Sequence, residues 1–202
     1  EKQVDAIVIA CNTATSVATK RYRSKISVPV IGMEPAVKQA AEQYSAVPGR
    51  ILVVATPVTI FGNKLHDLLE RVDPEDNVDL VALPKLVRIA ERGDFETEEI
   101  MAYLEEALQG YRLKDYKALV LGCTHFNYFK PCYKKLFPDR VKFVDGNEGT
   151  LRQLMRRLKV QEKEGIERTG KTEYYFSGRL VTAEEEEKIK RYMLRLDQAE
   201  SV

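Results

Sequence analysis

Short runs of apolar residues recur along the chain at positions 6–10, 28–32, 51–55, 78–81, 118–122 and 141–144. Most are continuous and rich in Val, Ile and Leu instead of strictly alternating, which suits strands buried on both faces of a parallel sheet. Amphipathic stretches lie between them. Ala36, Val37, Ala40, Ala41 and Tyr44 pattern residues 35–45; Ile60, Phe61, Leu65, Leu68, Leu69 and Val72 pattern 57–72. Ile100, Met101, Leu104 and Leu108 share one helical face within 97–110. Thr182, followed three positions later by Glu185, reads as a capping box opening a helix that reaches about Leu196. This strand–helix alternation predicts an α/β fold whose ligands sit at the carboxyl ends of the strands. Breaks near 32–35 and 145–149 divide the chain into a domain of residues 36–145 and another made of 1–35 with 146–202.

The pattern also contains an echo. Ala6-Ile7-Val8-Ile9-Ala10-Cys11-Asn12-Thr13 aligns with Ala118-Leu119-Val120-Leu121-Gly122-Cys123-Thr124-His125. In each, an apolar strand ends in a small residue, a cysteine and polar residues, which predicts two related half-sites, one per domain. A cysteine where a strand gives way to a helix meets free backbone N–H groups. Their field lowers a thiol's pKa from about 8.5 and also holds anions. Asn12, Thr13 and Thr124 are small polar groups able to grip a carboxylate. Two such loops face to face would place one sulfur on each side of a small anionic ligand. That is the arrangement for inverting a stereocentre, one thiolate removing a proton while the opposite thiol supplies one. The plain alternative is a pair of buried structural cysteines.

Other chemistries fit these residues less well. Neither cysteine has an Arg six positions on, where Val17 and Phe129 stand, so a phosphate-cradling Cys-x5-Arg loop is absent. Cys123, His125 and Cys132 with Cys11 have poor zinc spacings, and no Cys-x-x-Cys occurs. Cys132, in Lys130-Pro131-Cys132-Tyr133, reads as packing. His125 is a candidate acid/base or an orienting donor beside Cys123, and otherwise a hydrogen-bonded residue at a helix start. His66 reads as an ordinary helix residue. Thr56 and Thr59 follow the strand at 51–55 and either reach a ligand or cap a helix. Glu91 either meets an ammonium group or is a solvated helix-end carboxylate. Residues 165–172 satisfy GxxxxGK[ST] but lack the preceding apolar strand and following helix of a phosphate-binding loop. They read as a charged surface turn.

Composition narrows the partners. The 202 residues carry 32 Lys+Arg against 31 Asp+Glu, a net charge of +1, which argues against nucleic acid or an anionic membrane as partner. Three cysteines make a disulfide framework unexpected and favour a reducing compartment. No apolar run approaches the ~18 residues of a membrane span. The chain opens on Glu1, without Met, which raises the expectation that a longer protein contains it.

The motifs resemble those of the glutamate racemases, cofactor-independent enzymes of the aspartate/glutamate racemase superfamily. Ile7-Val8-Ile9-Ala10-Cys11-Asn12-Thr13-Ala14-Thr15 is similar to the first catalytic-cysteine motif of that family. Pro29-Val30-Ile31-Gly32-Met33-Glu34-Pro35 is similar to its interdomain stretch, and Leu119-Val120-Leu121-Gly122-Cys123-Thr124-His125-Phe126 to its second cysteine motif. The resemblance implies two similar domains with mainly parallel sheets and an active site in the cleft between them. It implies Cys11 and Cys123 as acid/base thiols, His125 assisting Cys123, and Asn12, Thr13, Thr124 and His125 binding the substrate. Thr56 and Thr59 match a family threonine pair; Glu91 matches a family glutamate more loosely, because Arg88 and Ile89 stand where Pro-Leu is usual. The implied activity is interconversion of L- and D-glutamate without pyridoxal phosphate or metal, in the bacterial cytoplasm, supplying D-glutamate for peptidoglycan. The family commonly forms homodimers. The histidine after Cys-Thr favours glutamate over aspartate, whose racemases typically carry an acidic residue there. Racemisation of another acidic amino acid, or a non-catalytic binding or regulatory role on the same scaffold, are the alternatives. The family's opening strand ending in Asp-Ser-Gly, and its Pro-Tyr-Gly loop, are not among these residues, so residues 1–202 alone are expected to have little activity.

Overall fold

A computed structural model describes residues 3–73, 75–95, 97–161 and 170–201, with the side chains of 18–23 excepted. The first apolar run forms β1 (Ile7–Ile9), which leads through Ala10 and Cys11 into α1 (Asn12–Arg23). The second forms β2 (Val30–Gly32), parallel to β1 with Ile7 opposite Val30. After α2 (Val37–Gln43) come β3 (Arg50–Ala55), α3 (Pro57–Ile60), α4 (Asn63–Val72), β4 (Val78–Ala82), α5 (Pro84–Arg92) and α6 (Glu98–Leu108). A short 3₁₀ turn, Leu113–Asp115, precedes β5 (Tyr116–Leu121). A second 3₁₀ segment, Thr124–Phe129, runs into α7 (Lys130–Leu136), and β6 (Lys142–Asp145) and α8 (Asn147–Leu158) follow. The chain then forms the hairpin of β7 (Tyr175–Phe176) and β8 (Arg179–Leu180) and ends in α9 (Ala183–Glu200).

Strands β3 to β6 make one parallel sheet in the order β4-β3-β5-β6. Its apolar runs are continuous because both faces are covered. Leu52, Val54, Leu119 and Leu121 pack with Leu86 and Ile89 of α5, Ile100 and Leu104 of α6, Phe126 and Tyr133. Ile51, Val53, Ala118 and Val120 point the other way, to Val37 and Ala40 of α2 and Leu65 of α4. Each large aliphatic side chain buried in this way contributes about 1.5–3 kcal/mol of transfer free energy.

Two predicted helices differ in detail. The pattern at 57–72 becomes α3 and α4, because Phe61, counted as an apolar position, is exposed, and Gly62 starts the second helix. Helix α9 extends past Leu196 to Glu200, and both arms of the Thr182–Glu185 capping box are present. It lies against the segment Thr124–Phe129 and α7. Most of the turn at 161–172 lies outside the described residues. No described helix is long and apolar enough to cross a membrane.

Candidate active site

Both cysteines stand two residues beyond the last residue of their strand, after a small residue, Ala10 or Gly122. Cys11 is exposed at the start of α1: its carbonyl accepts the Thr15 N–H at 2.9 Å, and its sulfur accepts the Ala14 N–H at 3.5 Å. Cys123 is only 7% exposed. Gly122 lies so close to β3 that a Cβ there would come within 2.9 Å of the Ala55 Cβ. The close approach lets Cys123 leave the sheet beside β3, and the chain then turns into the 3₁₀ segment. Burial pushes the Cys123 thiol up from 9.0 to about 11. Hydrogen bonds from the backbone N–H groups of His125 and Phe126 pull it down, and the Cys11 sulfur adds to the rise. The His125 Nδ1 stands 3.9 Å from the Cys123 sulfur.

Hydroxyl groups join the two loops. The Thr124 hydroxyl donates to the carbonyl of Ala10, the residue before Cys11, at 3.4 Å. Thr13 in α1 meets Thr56 at 2.8 Å and Thr59 at 3.4 Å, and Thr56 donates to Thr59 at 3.2 Å. Thr56 occupies the N-cap position of α3, but its hydroxyl makes no capping bond; it serves this threonine cluster instead. Asn12 is 4% exposed, and its Oδ1 has no partner among the described residues. It borders a narrow space of about 20 Å³ shared with Thr59 and Lys64.

A cavity of about 310 Å³ opens beside Thr124 and His125, lined also by Ala10, Met33, Asn127 and Leu196; neither cysteine is part of its lining. Asn127 escaped the sequence reading. Its Nδ2 donates to the Thr124 carbonyl at 3.3 Å, and its buried Oδ1 is without a partner among the described residues. In a 3₁₀ segment residues three apart lie one above the other, which sets Asn127 over Thr124. Larger open grooves of about 840 and 850 Å³ run along α2 and include neither the cysteines nor Thr124 and His125.

The remaining candidates lie apart from this chemistry. Cys132 is buried, with its thiol donating to the Phe95 carbonyl at 3.6 Å. His66 is exposed on α4. Glu91 is exposed at the end of α5, where its backbone carbonyl accepts from Lys188 and Tyr192 of α9. Among the described residues, no group of three or more His, Cys, Asp or Glu side chains is gathered closely enough to hold a metal ion.

The model of the Asp/Glu/Hydantoin racemase family matches residues 1–154. Glutamate racemase of Lachnospira eligens is 45% identical over 206 aligned residues, covering 100% of this chain and 78% of the relative. That of Campylobacter concisus is 43% identical, covering 98% and 75%. Among solved structures, glutamate racemase of Campylobacter jejuni superposes with a TM-score of 0.75 at 26% identity, over 96% of this chain and 74% of the other. The Escherichia coli enzyme, in complex with L-glutamate and the activator UDP-MurNAc-Ala, gives 0.72 at 25% identity over 94% and 71%. With both cysteine loops inside the matched span, the chain belongs to the Asp/Glu/Hydantoin racemase family, within its glutamate racemases.

Proposed function

We propose that this protein interconverts L- and D-glutamate by proton transfer between two thiols, with no cofactor. The observation that carries the reading is the meeting of the loops: the Thr124 hydroxyl, next to Cys123, donates to the carbonyl of Ala10, the residue before Cys11. In one direction a thiolate at Cys11 takes the α-proton, the carbon gains the electron pair, and Cys123, favoured as the thiol, protonates the opposite face. The reverse direction exchanges the roles. His125, beside Cys123, assists the sulfur in gaining and losing its proton. Thr13, Thr56, Thr59 and Thr124 supply hydroxyl hydrogens for the carboxylates, while Asn12 shapes the wall behind Thr59. Residues 1–35 with 146–202 form one domain and 36–145 the other, with the substrate between them. We further infer a bacterial cytoplasmic enzyme that supplies D-glutamate for peptidoglycan and acts as a homodimer.

The test is to follow circular dichroism while the full gene product acts on L-glutamate and, in parallel, L-aspartate. Decay of the glutamate signal to zero with aspartate unchanged is the expected result. Decay with aspartate alone would reassign the substrate. Glutamate binding without any decay would leave a binding protein on a racemase scaffold.

A further inference from the structure

The segment Thr124–Phe129 carries Thr124 and His125 in a 3₁₀ conformation, whose hydrogen-bond geometry is poorer than that of an α-helix. Support for it comes from outside, from α9. Arg195 donates from Nε and Nη2 to the Tyr128 carbonyl at 3.2 and 3.1 Å. Its guanidinium lies 5.6 Å from the centroid of the Phe95 ring. One turn earlier, the Tyr192 ring meets Phe95 and Tyr128 edge-on, with centroids 5.3 and 5.5 Å away. One residue later, Leu196 closes the cavity beside His125.

A second tie lies at the other end of the segment. Lys130 opens α7 with its side chain only 11% exposed, and two carboxylates hold its ammonium. One is Asp145 at the carboxyl end of β6, 3.3 Å away; the other is Glu200, the last residue of α9. The free oxygen of Asp145 accepts the N–H of Asn147, the first residue of α8, at 2.8 Å. A lysine ammonium this deep is tolerable only when paired, so the ends of β6, α7, α8 and α9 are drawn to one point.

We propose that Arg195 and Lys130 are positioning residues for the second thiol. Through them α9 clamps the 3₁₀ segment and fixes Cys123 and His125 opposite Cys11. The proposal rests on reading Cys123 as a proton-transfer group; neither Arg195 nor Lys130 contacts the substrate. Both act through the backbone that carries the sulfur.

Alkylation by iodoacetamide, followed peptide by peptide, tests the clamp, with Cys11 as the internal reference. In Arg195→Met, Cys123 should react about fivefold faster relative to Cys11, as its buried segment opens more often. The kcat for glutamate should fall about 10- to 100-fold, the cost of an ångström-scale misplacement, with KM within about twofold. Arg195→Lys keeps one charged donor to the carbonyl and should recover kcat to within about threefold of the parent. Glu200→Gln, which leaves Lys130 paired with Asp145, should raise Cys123 alkylation about threefold, and no change there would remove Lys130 from the proposal. Unchanged alkylation and kcat in Arg195→Met would overturn it. So would parallel acceleration of both cysteines with no rescue by Arg195→Lys, which would mark Arg195 as a general stabiliser. A parent protein that does not racemise glutamate refutes the functional reading, while the alkylation ratios still decide the clamp.

Discussion

Burial and backbone amide hydrogens pull the Cys123 thiol in opposite directions, and burial wins, raising it to about 11. A thiol raised on folding stabilises the fold fully below its unfolded value near 9 and loses that contribution as pH climbs towards 11. A shift of this size corresponds to roughly 2–3 kcal/mol. Urea unfolding at pH 8, 9.5 and 11 should therefore show the parent losing about that much more stability than Cys123→Ser across this range. Parallel losses would mean that burial does not hold the proton on Cys123. Thr13 offers a second test. Thr13→Val removes the hydroxyl that meets Thr56 and Thr59, so KM for glutamate should rise about tenfold, the equivalent of one hydrogen bond, with a smaller change in kcat. An unchanged KM would take the threonine cluster out of substrate binding. The residue types at Cys11, Thr13, Cys123 and Thr124 were legible in sequence because each follows an apolar strand. Asn127 was not, since its nearness to Thr124 depends on a 3₁₀ turn that the apolar pattern does not distinguish from an α-helix.

Sheet and helices were legible wherever one period dominated. The runs at 51–55 and 118–122 became β3 and β5 to within two residues, and Thr97 and Thr182 mark the helix starts with their own capping bonds. The pattern at 57–72 misled because hydrophobicity alone cannot say that Phe61 faces solvent. At the amino ends of β3, β4 and β5, Arg50 grips Asp79 through two bonds of 2.6 and 2.8 Å, and the Tyr116 hydroxyl donates to the same carboxylate at 2.7 Å. The Arg50 guanidinium holds the Asp79 carboxyl below its usual range, partly offset by burial and aided by Tyr116. Asp79→Asn should cost about 1–3 kcal/mol in chemical unfolding while activity per folded molecule stays at the parent level, because the cysteines sit at the opposite, carboxyl ends of their strands. Lost activity without lost stability would contradict that separation. At the carboxyl end of β5, Gly122→Ala should reduce both stability and activity, because the new methyl would press on Ala55 and on the Val54 carbonyl 3.1 Å away. A fully active, fully stable alanine variant would show that Cys123 does not need this close approach.

Across the whole molecule, the two cysteine loops are brought together by a few contacts between units remote in sequence. Besides Thr13–Thr56 and Thr124–Ala10, the connecting segments cross at Gly146, where a Cβ would lie 2.7 Å from the Glu34 carbonyl. The echo between 6–13 and 118–125 made the pairing of the loops legible, because both strands end in the same chemistry. The return of α9 over the second loop was not legible: its hydrogen bonds to Tyr128, Ala90 and Glu91 end on backbone carbonyls, which side-chain patterns do not mark. In the proposed reaction one carbon is served by two sulfurs from opposite faces. Solvent-deuterium entry at the α-carbon of each glutamate enantiomer, measured by NMR in Cys11→Ala and Cys123→Ala, tests it most directly. Each variant should lose racemisation by at least about 10³-fold, and each should still exchange only one enantiomer, the opposite one in the two cases. Exchange of both enantiomers by either variant, or near-parental racemisation, would contradict the two-sulfur account.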